Sequence, residues 1–61
     1  MKKYTVENVY GIAGNTEHRT IKAACKERKN REGEGWIVTD NDGNQVDFVG
    51  NQEIVIRYAN D

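Results

Sequence analysis

The 61-residue chain contains no proline, no serine and no leucine, and only one cysteine, one histidine, one tryptophan, one phenylalanine and one methionine. Each shortage excludes something. A lone Cys25 cannot close an internal disulfide, which rules out a disulfide-stapled secreted scaffold. One His and one Cys would leave a tetrahedral zinc site dependent on two carboxylates, an uncommon donor set for structural zinc. The absence of serine removes the commonest hydrolytic nucleophile, and the chain holds no GxGxxG, no Walker-type lysine loop and no HExxH. Fully apolar runs stop at two or three residues, as in Ile54-Val55-Ile56, so no membrane-spanning segment and no secretory h-region is expected. Met1-Lys2-Lys3 leads straight into strand-like residues. These absences predict a single small domain over residues 1–61, in a cytoplasm, without enzymatic activity, cofactor or metal.

The residues that are present favour a sheet. The aliphatic content is five Ile and six Val against four Ala and one Met. β-branched side chains lose rotamer freedom in a helix and pack well on a pleated surface. Lys3–Tyr10 reads as a first strand, broken by Gly11-Ile12-Ala13-Gly14. Asn15 or Thr16 can cap a helix running to about Asn30, with Glu17 at the positive end of the dipole and Lys29 and Arg31 at the negative end. Within it Ile21, Ala24, Cys25 and Arg28 stand at i, i+3, i+4 and i+7, which is one apolar face closed by an aliphatic stem. Gly33 suits a left-handed cap. Strands over Trp36–Asp40, Gln45–Val49 and Glu53–Tyr58 follow. Asn41-Asp42-Gly43-Asn44 is read as a type I′ hairpin and Gly50-Asn51 as the next turn.

The expected architecture is therefore α+β, in the order β-α-β-β-β: one antiparallel sheet with a single helix packed on one face. Alternation places Tyr4, Val6, Trp36, Val38, Val46, Phe48, Ile54, Ile56 and Tyr58 on the helix side. Ile37, Val49 and Val55 fall on the other side, among Thr39, Asp47 and Arg57. One helix cannot cover both faces, so Ile37, Val49 and Val55 form a candidate interface for a homodimer or a heteromeric contact.

Charge is the least ordinary feature. The net charge is −1, yet residues 19–31 carry six bases and one acid, while residues 32–56 carry six acids and no base. Arg19, Lys22, Lys26 and Lys29 make a basic stripe about three turns long beside the apolar helix face. Such a stripe is a candidate surface for a protein partner or for a phosphate backbone; on most helices it is a solvated face. The acidic strands and turns, with Glu32, Glu34, Asp40, Asp42, Asp47 and Glu53, offer the opposite surface, one suited to a basic protein groove. His18 on a helix surface lacks partners for catalysis, and Cys25 on the apolar face behaves as a small hydrophobe. Asp40-Asn41-Asp42-Gly43-Asn44 lacks the spacing of a calcium loop, with Gly fourth instead of sixth.

The MKKYTVENV opening, the single helix TIKAACKERKN and the meander GWIVTDNDGNQVDFV with IVIRYAN together resemble the very small accessory proteins of bacteriophages, including inhibitors of the anti-CRISPR type. The resemblance covers the whole chain in size and order of elements, and it assigns no residue a role. It implies a protein that acts by stoichiometric protein–protein contact and blocks a host complex that handles nucleic acid. Direct DNA or RNA binding through Arg19, Lys22, Lys26 and Lys29 is the alternative.

Overall fold

The computed structural model describes residues 2–60. The chain forms β1 (Tyr4–Asn8), β2 (Thr16–His18), α1 (Ile21–Lys29), β3 (Trp36–Thr39), β4 (Gln45–Val49) and β5 (Gln52–Arg57). All strand pairs are antiparallel, in the order β2-β1-β3-β4-β5. The single helix on one antiparallel sheet is the α+β arrangement that the β-branched composition and the one apolar helical face lead to.

The helix starts later than its charge pattern suggests. Thr16-Glu17-His18 is a short edge strand in which Val6 faces Thr16 and Tyr4 faces His18. The cap is Thr20, extended at φ −129° and ψ 149°, whose hydroxyl accepts from the Ala23 amide at 3.2 Å. Asn15 and Thr16 are thus not caps, and Glu17 is not at the helix dipole; it pairs with Lys3 at 3.2 Å instead. The reason is burial: the apolar periodicity begins only at Ile21, and the polar residues before it gain more from pairing with β1 than from a helix with no face to bury. Lys26, Arg28 and Lys29 do occupy the last turn, where cations suit the dipole. Asn30 closes the helix in right-handed geometry, and Gly33, although at φ 91°, lies beyond the cap.

The core is the meeting of Ile21, Ala24 and Cys25 from α1 with Tyr4, Val6, Val38 and Val46 from the sheet. Val6, Val38 and Val46 are completely buried. They lie side by side, Val6 opposite Val38 and Val38 opposite Val46, so each side chain contributes roughly 1.5–3 kcal/mol of burial to one continuous row.

The row continues into β5 at Val55, and here the face assignment changes. Gly50 and Asn51, at φ 58° and 61°, form a two-residue turn with both central residues left-handed, as type I′ geometry requires. That turn sets Val49 opposite Gln52, Asp47 opposite Ile54 and Val46 opposite Val55. Val55 therefore packs against the core, and Ile54, Ile56 and Tyr58 are exposed. A one-residue difference in register exchanges the two faces of a strand. Beyond Val55 the ladder shifts: Gln45 faces Arg57, leaving Ile56 as the bulge residue.

The β3–β4 turn also differs from type I′. Only Gly43 has positive φ, 83°, and the Asp40 amide donates to the Asn44 carbonyl at 3.0 Å. The Asp40 carboxylate accepts from the amides of Asp42 and Asn44, each at 2.9 Å. This is a three-residue loop closed by a left-handed glycine.

Candidate binding groove between α1 and β4

β4 stays beside β3 only through Gln45 and Val46, yet it pairs with β5 as far as Val49. Its outer half therefore leaves the sheet as a two-stranded arm. The arm reaches the helix: Asp47 Oδ1 lies 3.2 Å from Arg28 Nη2 and 3.6 Å from Cys25 Sγ. Between the arm and α1 runs an open groove of about 510 Å³, with Phe48 and Val49 on one wall and Lys22, Cys25, Lys26 and Lys29 on the other.

Electrostatics divides the groove in two. At its inner end, burial opposes the charge on Asp47, but the Phe48 amide at 2.8 Å, the Arg28 guanidinium and the Cys25 thiol outweigh it and hold the carboxyl below its usual range. Burial, with the neighbouring Asp47, pushes the Cys25 thiol up, and Arg28 offsets this only in part. The thiol thus stays protonated and donates to Asp47. At the outer end Lys22, Lys26 and Lys29 are exposed, and none makes an ion pair among the described residues. They span eight residues of helix, about 10 Å along its axis. Unpaired ammonium groups beside a phenyl ring and a half-exposed valine suit an anionic partner that also brings an apolar group.

The structure divides both sets of residues singled out from the sequence. Lys22, Lys26 and Lys29 come together on the groove. Arg19 does not: it precedes the Thr20 cap and lines a separate hollow with Lys2, Lys3, Glu17 and His18. Of the three aliphatic candidates, Val49 joins the lysines, 56% exposed. Ile37 lies on the helix-free face, beside Glu7, Thr39 and Arg57 around a hollow of about 250 Å³. Val55 is packed against the core and belongs to no free apolar face. Asp47 likewise is not a helix-free-face residue, since it contacts α1. Phe48, assigned to the core on alternation alone, is half-buried and serves as groove wall as well. The signal for Asp47 and Phe48 was the lone acid between Val46 and Phe48, within reach of a helix that carries Arg28.

Half of the six acids on the acidic surface are used internally, while Glu32, Glu34 and Asp42 are exposed. Asp40 is held by its own loop, Asp47 by Arg28, and Glu53 by Lys2 at 3.7 Å and by the Tyr4 hydroxyl, which donates to it. His18 Nε2 sits 2.9 Å from Thr16 Oγ1, and among the described residues no three His, Cys, Asp or Glu side chains converge as metal ligands. Among those residues no helix is long and apolar enough to cross a membrane. Comparison with protein-family models, with curated proteins and with solved structures returns no match.

Proposed function

We propose that the chain is a small non-catalytic binding protein that acts by stoichiometric protein–protein contact, and that the α1–β4 groove is its contact surface. The observation that carries this reading is the set of three ammonium groups without acidic partners among the described residues, Lys22, Lys26 and Lys29, bordering the exposed Val49 and half-buried Phe48. The matching partner surface carries carboxylates around an apolar side chain, which would seat against Phe48 and Val49 while its charges meet the lysines. Aromatic and aliphatic anchors of this kind give affinity, and the charged rim gives rate and specificity. The target class is the one the bacteriophage resemblance implies: a host complex that handles nucleic acid or defends against it, inhibited or modulated by occupancy.

The same three lysines support a second reading, direct binding of DNA or RNA along α1. Three neutralised phosphates would give a log–log salt slope of about −2.7 on duplex DNA. The apolar wall favours the protein partner, because a duplex backbone has no use for Val49.

Capture from bacterial lysate with the wild type and with a Lys22→Glu/Lys26→Glu/Lys29→Glu variant tests both. The proposal expects a protein retained by the wild type and lost from the variant, in nuclease-treated lysate. Equal retention by both chains overturns the groove, and retention that disappears on nuclease treatment, with a salt-dependent gel shift, transfers the function to nucleic acid.

A further inference from the structure

The end of the sheet at which β1 stops and β3 starts, Asn8 opposite Trp36, also receives the end of α1 and the β4–β5 turn. On its β1 flank stands the β1–β2 connection, residues 9–15, seven residues without a charge. Tyr10 is 72% exposed and Ile12 54%. The loop is nevertheless well fixed. The buried Asn8 side chain accepts from the Tyr10 amide at 2.8 Å and donates to the Glu34 carbonyl at 3.0 Å. The Val9 amide donates to the Gly35 carbonyl at 2.8 Å, and a Cβ at Gly35 would stand 2.5 Å from the Tyr10 ring. Holding an aromatic ring in solvent does not enlarge the core. It lowers the ordering cost of a contact, and tyrosine is among the commonest contact anchors.

Two acids border this loop. The hydrogen bonds to the Glu34 and Gly35 carbonyls draw the α1–β3 connection toward β1. Glu32 and Glu34 within it are exposed, and neither makes an ion pair among the described residues. Arg31 beside them is spent on Glu27 and on the Trp36 ring. The chain therefore carries an apolar loop bordered by free carboxylates. On the β4 flank of the same end lies the complement, Val49 with Lys26 and Lys29 of the groove.

We infer that the groove of one chain receives the Tyr10–Ile12 loop of a second copy, and the reverse, in a two-fold dimer joined at this end of the sheet. β3 is the middle strand, with β1 on one flank and β4 on the other. A two-fold axis normal to the sheet, just beyond Trp36, sets the β1 flank of one copy opposite the β4 flank of its partner. Each loop then faces the other copy's Phe48–Val49 wall, and the carboxylates of Glu32 and Glu34 face the other copy's lysines. The two contacts are equivalent, so the assembly closes as a dimer. This inference rests on the groove being the contact surface and names how that surface is regulated. The second copy masks the groove, and the target must displace it. Apparent affinity for the target therefore falls as the concentration of the chain rises.

Sedimentation equilibrium of the whole chain from micromolar to millimolar concentration, with amide chemical shifts, tests the inference. A dimer is expected, with the Ile12 and Val49 amides moving as concentration rises and those of His18 and Asp42, at the opposite end, unchanged. Glu32→Lys/Glu34→Lys and Lys22→Glu/Lys26→Glu/Lys29→Glu each set like charges together and should raise the dissociation constant about tenfold or more. An equimolar mixture of the two variants restores opposite charges at both contacts and should recover a dimer containing one of each chain. Tyr10→Ala, at an exposed site, should weaken association about tenfold. A wild type monomeric throughout the range, a mixture that stays monomeric, or shifts at His18 and Asp42 in place of Ile12 and Val49 would overturn the dimer. The binding reading is decided separately, because Glu32→Lys/Glu34→Lys leaves the groove intact. That chain, monomeric, should retain the lysate protein at least as well as the wild type. Loss of that protein together with the dimer would overturn the masking, since the acids and not the freed groove would then hold the target.

Discussion

The two edges of the sheet are built to opposite specifications. β2 is three residues long, holds Glu17 at its centre and runs through Arg19 into the Thr20 cap. It is also tied back, since Arg31 donates to the Thr16 hydroxyl at 3.3 Å while its guanidinium lies 4.7 Å from the centroid of the Trp36 ring. Arg31 Nε lies 3.0 Å from a Glu27 carboxylate oxygen, an ion-pair distance without hydrogen-bond alignment. β5 is six residues long, holds no lysine, and presents Ile54 and Ile56 to solvent. Short, charged edges resist strand addition, and long apolar ones invite it. The contrast teaches that the small core is not distributed evenly: β2 is held by polar contacts at its rim, whereas β5 is held by Val55 against the fully buried Val46.

That difference is largest under substitution. Val55→Asp places an unpaired carboxylate against Val46 and should lower the unfolding free energy by roughly 3 kcal/mol or more, seen as a fall in the urea midpoint. The matching change on the short edge, His18→Asp at a half-exposed site, should cost less than about 1 kcal/mol. Equal losses at the two positions would show that the edges are anchored alike.

The same residue shows what could be read from the chain before its fold was known. The apolar helical face, Ile21, Ala24 and Cys25, was legible because its spacing has only one geometric solution, and the β-branched composition declared the sheet. The faces of β5 were misread although Gly50-Asn51 contained the answer. A two-residue turn forces Val49 onto Gln52, and counting outward brings Val55 to Val46; alternation applied to each strand separately discards that constraint. β2 was not legible, because Thr16–Thr20 is polar and compatible with either a helix start or an edge strand, and only pairing with β1 decides. Lys22, Lys26 and Lys29 were legible as a set. The groove was not, since its second wall exists only because β4 parts from β3 after Val46.

If the turn fixes the long edge, altering the turn should disturb that edge alone. Gly50 sits at φ 58° with open space around a Cβ at its position, so Gly50→Val introduces backbone strain without a clash. The expected cost is about 1–2 kcal/mol, together with faster amide exchange at Gln52 and Ile54, whose amides face β4, and unchanged exchange in β1 and β2. Uniform acceleration across the sheet would mean that the arm and the sheet open as one unit.

The gentlest probe acts on a side-chain hydrogen bond that joins β1 to β5. The Tyr4 hydroxyl donates to Glu53, and burial first, then that bond and the carboxylate charge, push the phenol from 10.0 up to about 12. A group whose pKa is raised by folding stabilises the fold fully below its unfolded value and loses that contribution as pH climbs through its folded value. The wild type should therefore lose stability between pH 10 and about pH 12, with Tyr4 ionising at the top of that window in a phenolate absorbance titration. Glu53→Gln keeps an acceptor and removes the charge. At neutral pH it should cost no more than about 1 kcal/mol, the difference between a charged and a neutral acceptor. The phenol should then titrate lower than in the wild type but still above 10.0, because burial, its largest cause, remains. A Tyr4 titration unmoved by Glu53→Gln would show that β5 is held by Val55 alone.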